Sequence, residues 1–149
     1  MKRTLENRVK AEFSAKSENE SLARVITAGF LMNYPVTTEE LADVKTAVSE
    51  AVTNSVVHAY KGREAGGVRL EIRLFSGGLL RVTVADFGCG IADVQRAREP
   101  FFTTDREHER GGMGFSVMET FMDRVKVSST VEKGTRVTLE KRLCRMQNA

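Results

Sequence analysis

Two runs in the middle of the chain, Val68-Arg69-Leu70-Glu71-Ile72-Arg73-Leu74 and Leu80-Arg81-Val82-Thr83-Val84, alternate apolar and polar residues without a break. Alternation with period two marks a strand that has one dry face and one wet face. Ser76-Gly77-Gly78 lies between the runs, and glycines there supply the backbone freedom of a tight reversal. The chain therefore has to contain an antiparallel hairpin whose apolar side is covered and whose charged side is open. Any fold built on that hairpin must gather its helices on a single face of the sheet.

Several segments can provide the cover. Ser17-Glu18-Asn19-Glu20 has the Ser-x-x-Glu form of a capping box, and Leu22, Val25, Ile26 and Phe30 follow at helical spacing until Pro35 stops the helix. Thr37-Thr38-Glu39-Glu40 repeats the cap ahead of Leu41, Val44, Val48, Val52 and Ser55, one stripe that ends near Ala59. Phe115, Met118, Phe121 and Met122 predict another amphipathic helix, and a short one falls around residues 92–98. Val9, Ala11 and Phe13 predict a short strand. Val125 to Val131, a turn at Glu132-Lys133-Gly134, and Val137 with Leu139 predict a closing hairpin. The order is strand, two helices, two strands, irregular stretch, helix, two strands. It predicts an α+β two-layer sandwich: a mixed, mostly antiparallel sheet with helices on one face. No repeat, low-complexity tract or Pro-rich linker interrupts it, so residues 1–149 are expected to form one domain.

Composition narrows the classes of function. With 41% hydrophobic residues the chain is not disordered, and no segment approaches the roughly 18 uninterrupted apolar residues of a membrane span. The charged start lacks the apolar stretch of a signal peptide. Cys89 and Cys144 are too far apart in sequence for a disulfide framework or a paired metal motif. A cytoplasmic protein with no membrane partner is expected. Lys and Arg number 23 against 20 Asp and Glu, but they are dispersed: Arg69 and Arg73 on one segment, Lys61 and Arg63 in a loop, Lys126 and Lys133 later. No basic helix or tail stands out, so direct nucleic-acid binding is not expected.

Four groups of residues carry chemistry. Glu50, Asn54 and His58 fall at i, i+4 and i+8 of the second helix. A carboxylate there can act as a base and an amide oxygen can ligate Mg²⁺; a solvated helix face has the same spacing. Asp86-Phe87-Gly88-Cys89-Gly90 follows a strand directly, so Asp86 can accept from a ligand amino group, or cap its own turn. The Asp-Phe-Gly triplet is not that of eukaryotic protein kinases, because the rest of that signature set is missing. Gly111-Gly112-Met113-Gly114 opens a helix, where free backbone amides favour phosphate. It is neither a Walker loop nor a dinucleotide fingerprint. The polar stretch 103–110 before it suits a mobile flap, or an ordinary surface loop. Gly134-Thr135 is, alone, a plain turn.

Taken in order, Glu50/Asn54, Asp86-x-Gly88-x-Gly90, Gly112-x-Gly114 and Gly134-Thr135 resemble the four ATP-binding boxes of the GHKL (Bergerat) ATPase superfamily. Within it, Ser49-Glu50-Ala51-Val52-Thr53-Asn54 with His58 and Tyr60, Pro100-Phe101-Phe102-Thr103-Thr104, Gly112-Met113-Gly114-Phe115 and the early stretch Ser14 to Val25 are similar to the anti-sigma factor serine kinases, those of sporulation above all. The resemblance runs from about Val9 to Leu143.

It implies the Bergerat fold, ATP/ADP and Mg²⁺ as ligands, and transfer of phosphate to a protein serine. Asn54 would hold Mg²⁺ and Glu50 would be the base. Asp86 would receive the adenine amino group with support from Thr135, and Gly88 and Gly90 would let the backbone pass the nucleoside. Gly112, Met113 and Gly114 would hold phosphates, with Thr103, Thr104 and Arg110 closing over them and Arg110 facing the γ-phosphate. Arg24 would contact protein partners: a sigma factor of the sigma F type, held by a homodimer, and an anti-anti-sigma factor that is the phosphorylation substrate. Cys89 is read as a small buried filler and His58 as structural. A switch kinase for a general stress sigma factor and a histidine-kinase-type catalytic domain are the alternatives. The second calls for an upstream helical hairpin with a phosphoacceptor His, where this sequence has a strand.

Overall fold

The computed structural model describes residues 2–61, 66–99 and 114–146. The two alternating runs form β2 (Gly67–Phe75) and β3 (Leu79–Asp86), paired antiparallel with Val68 opposite Asp86 and Phe75 opposite Leu79. The turn between them carries positive φ at Gly77 and Gly78, the freedom that the glycine pair was expected to supply. β1 (Leu5–Ser14) adds to β2, and β4 (Arg124–Thr130) with β5 (Gly134–Arg142) adds to β3, giving the order β1-β2-β3-β5-β4. The sequence left room for a mixed sheet, but all four pairings are antiparallel. The physical reason is that β5 reaches β3 by doubling back on its own hairpin partner.

Three helices lie on the dry face: α1 (Asn19–Leu31), α2 (Thr38–Asn54) and α4 (Gly114–Phe121); a short α3 (Val94–Ala97) lies against β4. Leu70, Ile72, Leu74, Leu80, Val82 and Leu139 of the sheet are fully buried against Val44, Ala47, Val48 and Val52 of α2 and Met118 of α4. A buried Leu or Ile is worth about 1.5–3 kcal/mol, against about 1 kcal/mol for a helix cap, so this dry layer dominates the energetics. α2 is its axis, packed on α1, α4, β3 and β5 at once.

The two capping boxes turn out differently. Around Thr37 both bonds form: its hydroxyl accepts from the Glu40 amide at 2.9 Å and the Glu40 carboxylate accepts from the Thr37 amide at 3.0 Å. At the first helix the cap position is Glu18, with no side-chain cap. There the Asn19 and Glu20 amides donate to the Lys16 and Ser17 carbonyls, so backbone turns meet the amides that the Ser17 hydroxyl was expected to serve. A second difference is the end of α2, which passes into a π-helical turn, Ser55–Ala59. The wider winding moves His58 off the face that it would share with Glu50 and Asn54 on a continuous α-helix.

Glu40 also accepts from the Cys144 amide at 2.9 Å, tying the α2 cap to the residue after β5. Burial pushes its carboxyl up, but the bonds from Thr37 and Cys144 together outweigh that and leave it below the ordinary carboxylate range. A group with a depressed folded pKa adds stability above its unfolded value and loses it as pH falls through the folded value. Glu40→Gln is therefore expected to destabilise by about 1 kcal/mol at pH 7, with the gap closing below about pH 4. Urea titrations of both proteins at pH 7 and pH 3.5 check this.

Candidate functional site

The end of α2 and the end of β3 meet at a buried carboxylate. Asp86 is the last residue of β3 and is only 6% exposed. Its Oδ2 accepts from the Ser55 hydroxyl at 3.0 Å, and its Oδ1 accepts from the amides of Gly88 at 3.1 Å and Thr135 at 3.2 Å. Three donors from three segments fix the carboxylate's plane, which leaves acceptor capacity for a ligand donor. The Thr135 hydroxyl shares a 2.8 Å hydrogen bond with Ser129, whose oxygen also accepts from the Ile91 amide at 2.7 Å.

Glycines make this meeting possible. A Cβ on Gly88 would lie 2.0 Å from the Ala59 carbonyl oxygen, and one on Gly134 would lie 2.1 Å from that of Asp86. The resemblance sets Gly88 and Gly90 beside a nucleoside; the close approaches seen at both are to the chain's own backbone, at Ala59 and Thr130. The Cys89 amide donates to the Ala59 carbonyl at 2.7 Å, so this loop docks on the π-helical turn. Cys89 is half-buried rather than buried as expected, its thiol 3.3 Å from the His58 carbonyl oxygen.

Tyr60 straps the same corner. Its hydroxyl donates to the Gly67 carbonyl at 2.7 Å and accepts from the Phe87 amide at 3.0 Å. Burial raises its pKa, and Asp86 and Glu12 push it the same way against the Phe87 bond.

Glu50 and Asn54 lie one turn apart on α2 and are both half-buried. Gly114 opens α4 directly against Asn54: a Cβ there would sit 3.1 Å from the Asn54 amide oxygen. Among the described residues no hydrogen bond claims the Asn54 side chain, and no group of three His, Cys, Asp or Glu could hold a metal. A metal at this place would take the Asn54 oxygen and oxygens of its own ligand, a hard donor set that fits Mg²⁺. Arg24 reaches from α1 to α2, donating to the Ser49 hydroxyl at 2.9 Å and to Ser21 at 3.2 Å, so it stands beside the residue that precedes Glu50. Thr103, Thr104, Arg110, Gly112 and Met113 lie outside the described residues.

The order of elements and the corner they build decide the family when set beside known proteins. Residues 13–141 match the family described as histidine kinase-like ATPase domain. The chain belongs to that family. It is 48% identical to the anti-sigma F factor of Geobacillus stearothermophilus over 143 residues, 96% of this chain and 97% of that one. It is 50% identical to the anti-sigma F factor of Clostridium novyi (strain NT), over 92% and 95% of the two chains. Among solved structures, the RsbU and RsbW domains of a Mycobacterium tuberculosis protein superpose with a TM-score of 0.69 at 20% identity, over 93% of this chain and 33% of that one, a likeness of fold alone. A blue-light activated histidine kinase of Erythrobacter litoralis superposes with a TM-score of 0.59 at 27% identity, over 76% and 34%.

An ATPase domain binds ATP, and the corner fits it at two points: a fixed carboxylate for an amino group, and an unclaimed amide oxygen under the start of a helix for a metal and phosphates. Ser55 is the residue that sequence reasoning missed, having counted it in the apolar stripe. A polar side chain on a buried stripe must find a partner, and that signal was available. Ser55→Ala would leave Oδ2 of Asp86 without its protein donor and free to turn. It is expected to weaken ATP binding about fivefold, near 1 kcal/mol, in a nucleotide titration, with the fold retained.

Proposed function

We propose that this chain is an anti-sigma factor that is also an ATP- and Mg²⁺-dependent protein serine kinase, acting in the cytoplasm. The observation that carries the reading is that Glu50 lies one turn from Asn54 on α2, with Asn54 against the opening of α4. A domain that merely held nucleotide would need the amide and the helix start, but not a carboxylate at the same place. The names of the relatives support the partner class, a sigma factor of the sigma F type; a small anti-anti-sigma protein is the proposed phosphate acceptor.

In the proposed reaction the acceptor serine hydroxyl attacks the γ-phosphorus. The new O–P bond forms as the bond to the β-phosphate oxygen breaks, ADP departs, and Glu50 takes the hydroxyl proton. Bound Mg²⁺ would neutralise phosphate charge, with Asn54 as its protein ligand. Asp86, oriented by Ser55, Gly88 and Thr135, would select adenine through its amino group. Thr103, Thr104, Gly112 and Met113 would close on the phosphates, with Arg110 set against the γ-phosphate. Arg24 would touch the protein partners of a homodimer. ATP state then decides which partner stays bound, a population shift that follows from differential affinity.

Glu50→Gln is expected to keep ATP affinity within a few fold and to lower phosphoserine formation at least 100-fold, read with labelled ATP, Mg²⁺ and the small acceptor protein. Retained transfer would remove Glu50 from the base role. Arg24→Glu is expected to weaken sigma binding tenfold or more while nucleotide titration stays unchanged.

A further inference from the structure

The wet face of the sheet gathers the basic residues that the sequence disperses. The register lines up Arg8, Arg73, Arg81, Glu140 and Arg124 in one row across all five strands. The next row is Lys10, Glu71, Thr83, Thr138 and Lys126, and the third is Glu12, Arg69, Ala85, Arg136 and Ser128. Eight cations and three carboxylates stand in these three rows, an excess of five, against three for the whole chain. The rest of the molecule is therefore net acidic. The rows floor a trough of about 450 Å³.

This arrangement is costly to the fold. Arg8 stands directly opposite Arg73, and Arg73 directly opposite Arg81, and like charges in that relation destabilise a sheet. The carboxylates only partly offset it. Glu71 serves Arg73 at 2.9 Å and Lys10 at 3.7 Å, and Glu140 serves Arg81 at 2.7 Å and Arg124 at 3.9 Å. Among the described residues Arg8, Lys126 and Arg136 have no carboxylate within ion-pair distance.

We infer that this face is a docking surface for an acidic segment of a partner protein. The inference rests on the proposed function only in taking the chain's partners to be proteins. A second copy of the chain would bring two basic faces together, which repels. Nucleic acid fits less well, because Glu71 and Glu140 sit inside the rows. Each ring at this face already carries an arginine, Phe75 that of Arg81 at 4.9 Å and Phe87 that of Arg69 at 5.2 Å, although Phe87 stays half exposed. Arginine forks matched to carboxylates, with interspersed acceptors for a partner's own cations, suit a mixed, mainly acidic protein surface. Asp86 points to the helix side, and its neighbour Ala85 to this one, so a docked segment leaves the nucleotide corner open.

The test uses the full chain with ATP and Mg²⁺, against Arg73→Glu/Lys126→Glu, with thermal melting to confirm that the variant folds. The probes are a fluorescent 20-residue Glu/Asp-rich peptide, a mixed-sequence DNA duplex of equal charge, and the purified sigma factor and anti-anti-sigma protein. The expected result is peptide binding that the double substitution weakens at least tenfold, that falls between 50 and 200 mM salt, and that exceeds duplex binding. One of the two protein partners should lose affinity in parallel, with ATP affinity unchanged. Equal peptide affinity in both proteins, tighter binding of the duplex, or unchanged affinity for both partners overturns the inference. If the wild-type chain binds neither partner, the anti-sigma reading fails, and the peptide and duplex comparison still decides the role of the face.

Discussion

A sheet with one dry face leaves its other face unemployed by folding. In this chain the dry face is made by strict alternation in β2 and β3, and everything else is arranged by the need to cover it. α2 does most of the covering, buried along Val44, Val48 and Val52, and its course is therefore fixed by the sheet. Because α2 is fixed, so are the positions of Glu50 and Asn54 on its partly open side. The core thus sets the chemistry: a carboxylate and an amide are held by a helix that cannot shift without opening the interior.

The π-helical turn is where core and site are reconciled. A continuous α-helix through Ser55–Ala59 would keep His58 with Glu50 and Asn54. The wider turn starts at Ser55, whose hydroxyl donates to Asp86, and ends at Ala59, whose carbonyl accepts from the amide of Cys89. These bonds tie α2 to the loop after β3, and with it the two halves of the candidate site. Gly88 and Gly134 belong to the same junction, since a side chain at either would strike a backbone carbonyl. Functional loops are commonly the least stable parts of a fold; this one is held by backbone bonds, the Tyr60 strap and a buried carboxylate.

Much of this was legible in the residues, for identifiable reasons. Alternation at Val68–Leu74 and Leu80–Val84 predicted the hairpin because period two is a direct image of a half-buried sheet. The Thr37 box predicted the start of α2 because both of its bonds are local. The Ser17 box had the same letters, yet backbone carbonyls of Lys16 and Ser17 took the amides, a competition that spacing alone does not reveal. The π turn was hidden because it depends on what α2 meets beyond Asn54. Ser55 was hidden with it, filed among the apolar residues whose stripe it shares. The basic face was missed for a different reason. Arg8, Arg73, Arg81 and Arg124 are neighbours only through a register that four separate pairings impose.

The two faces of the sheet differ in how they tolerate change. On the dry face each residue answers to packing, so substitutions there alter stability first and function second. On the wet face the row Arg8, Arg73, Arg81 sets like charges directly opposite one another, a cost set against the ion pairs to Glu71 and Glu140. Such a concentration of one sign of charge is complementary to an oppositely charged surface. That face looks away from Asp86, which is buried on the helix side of the sheet. The two faces share β3, whose Ala85 floors the trough and whose Asp86 carboxylate anchors the opposite corner.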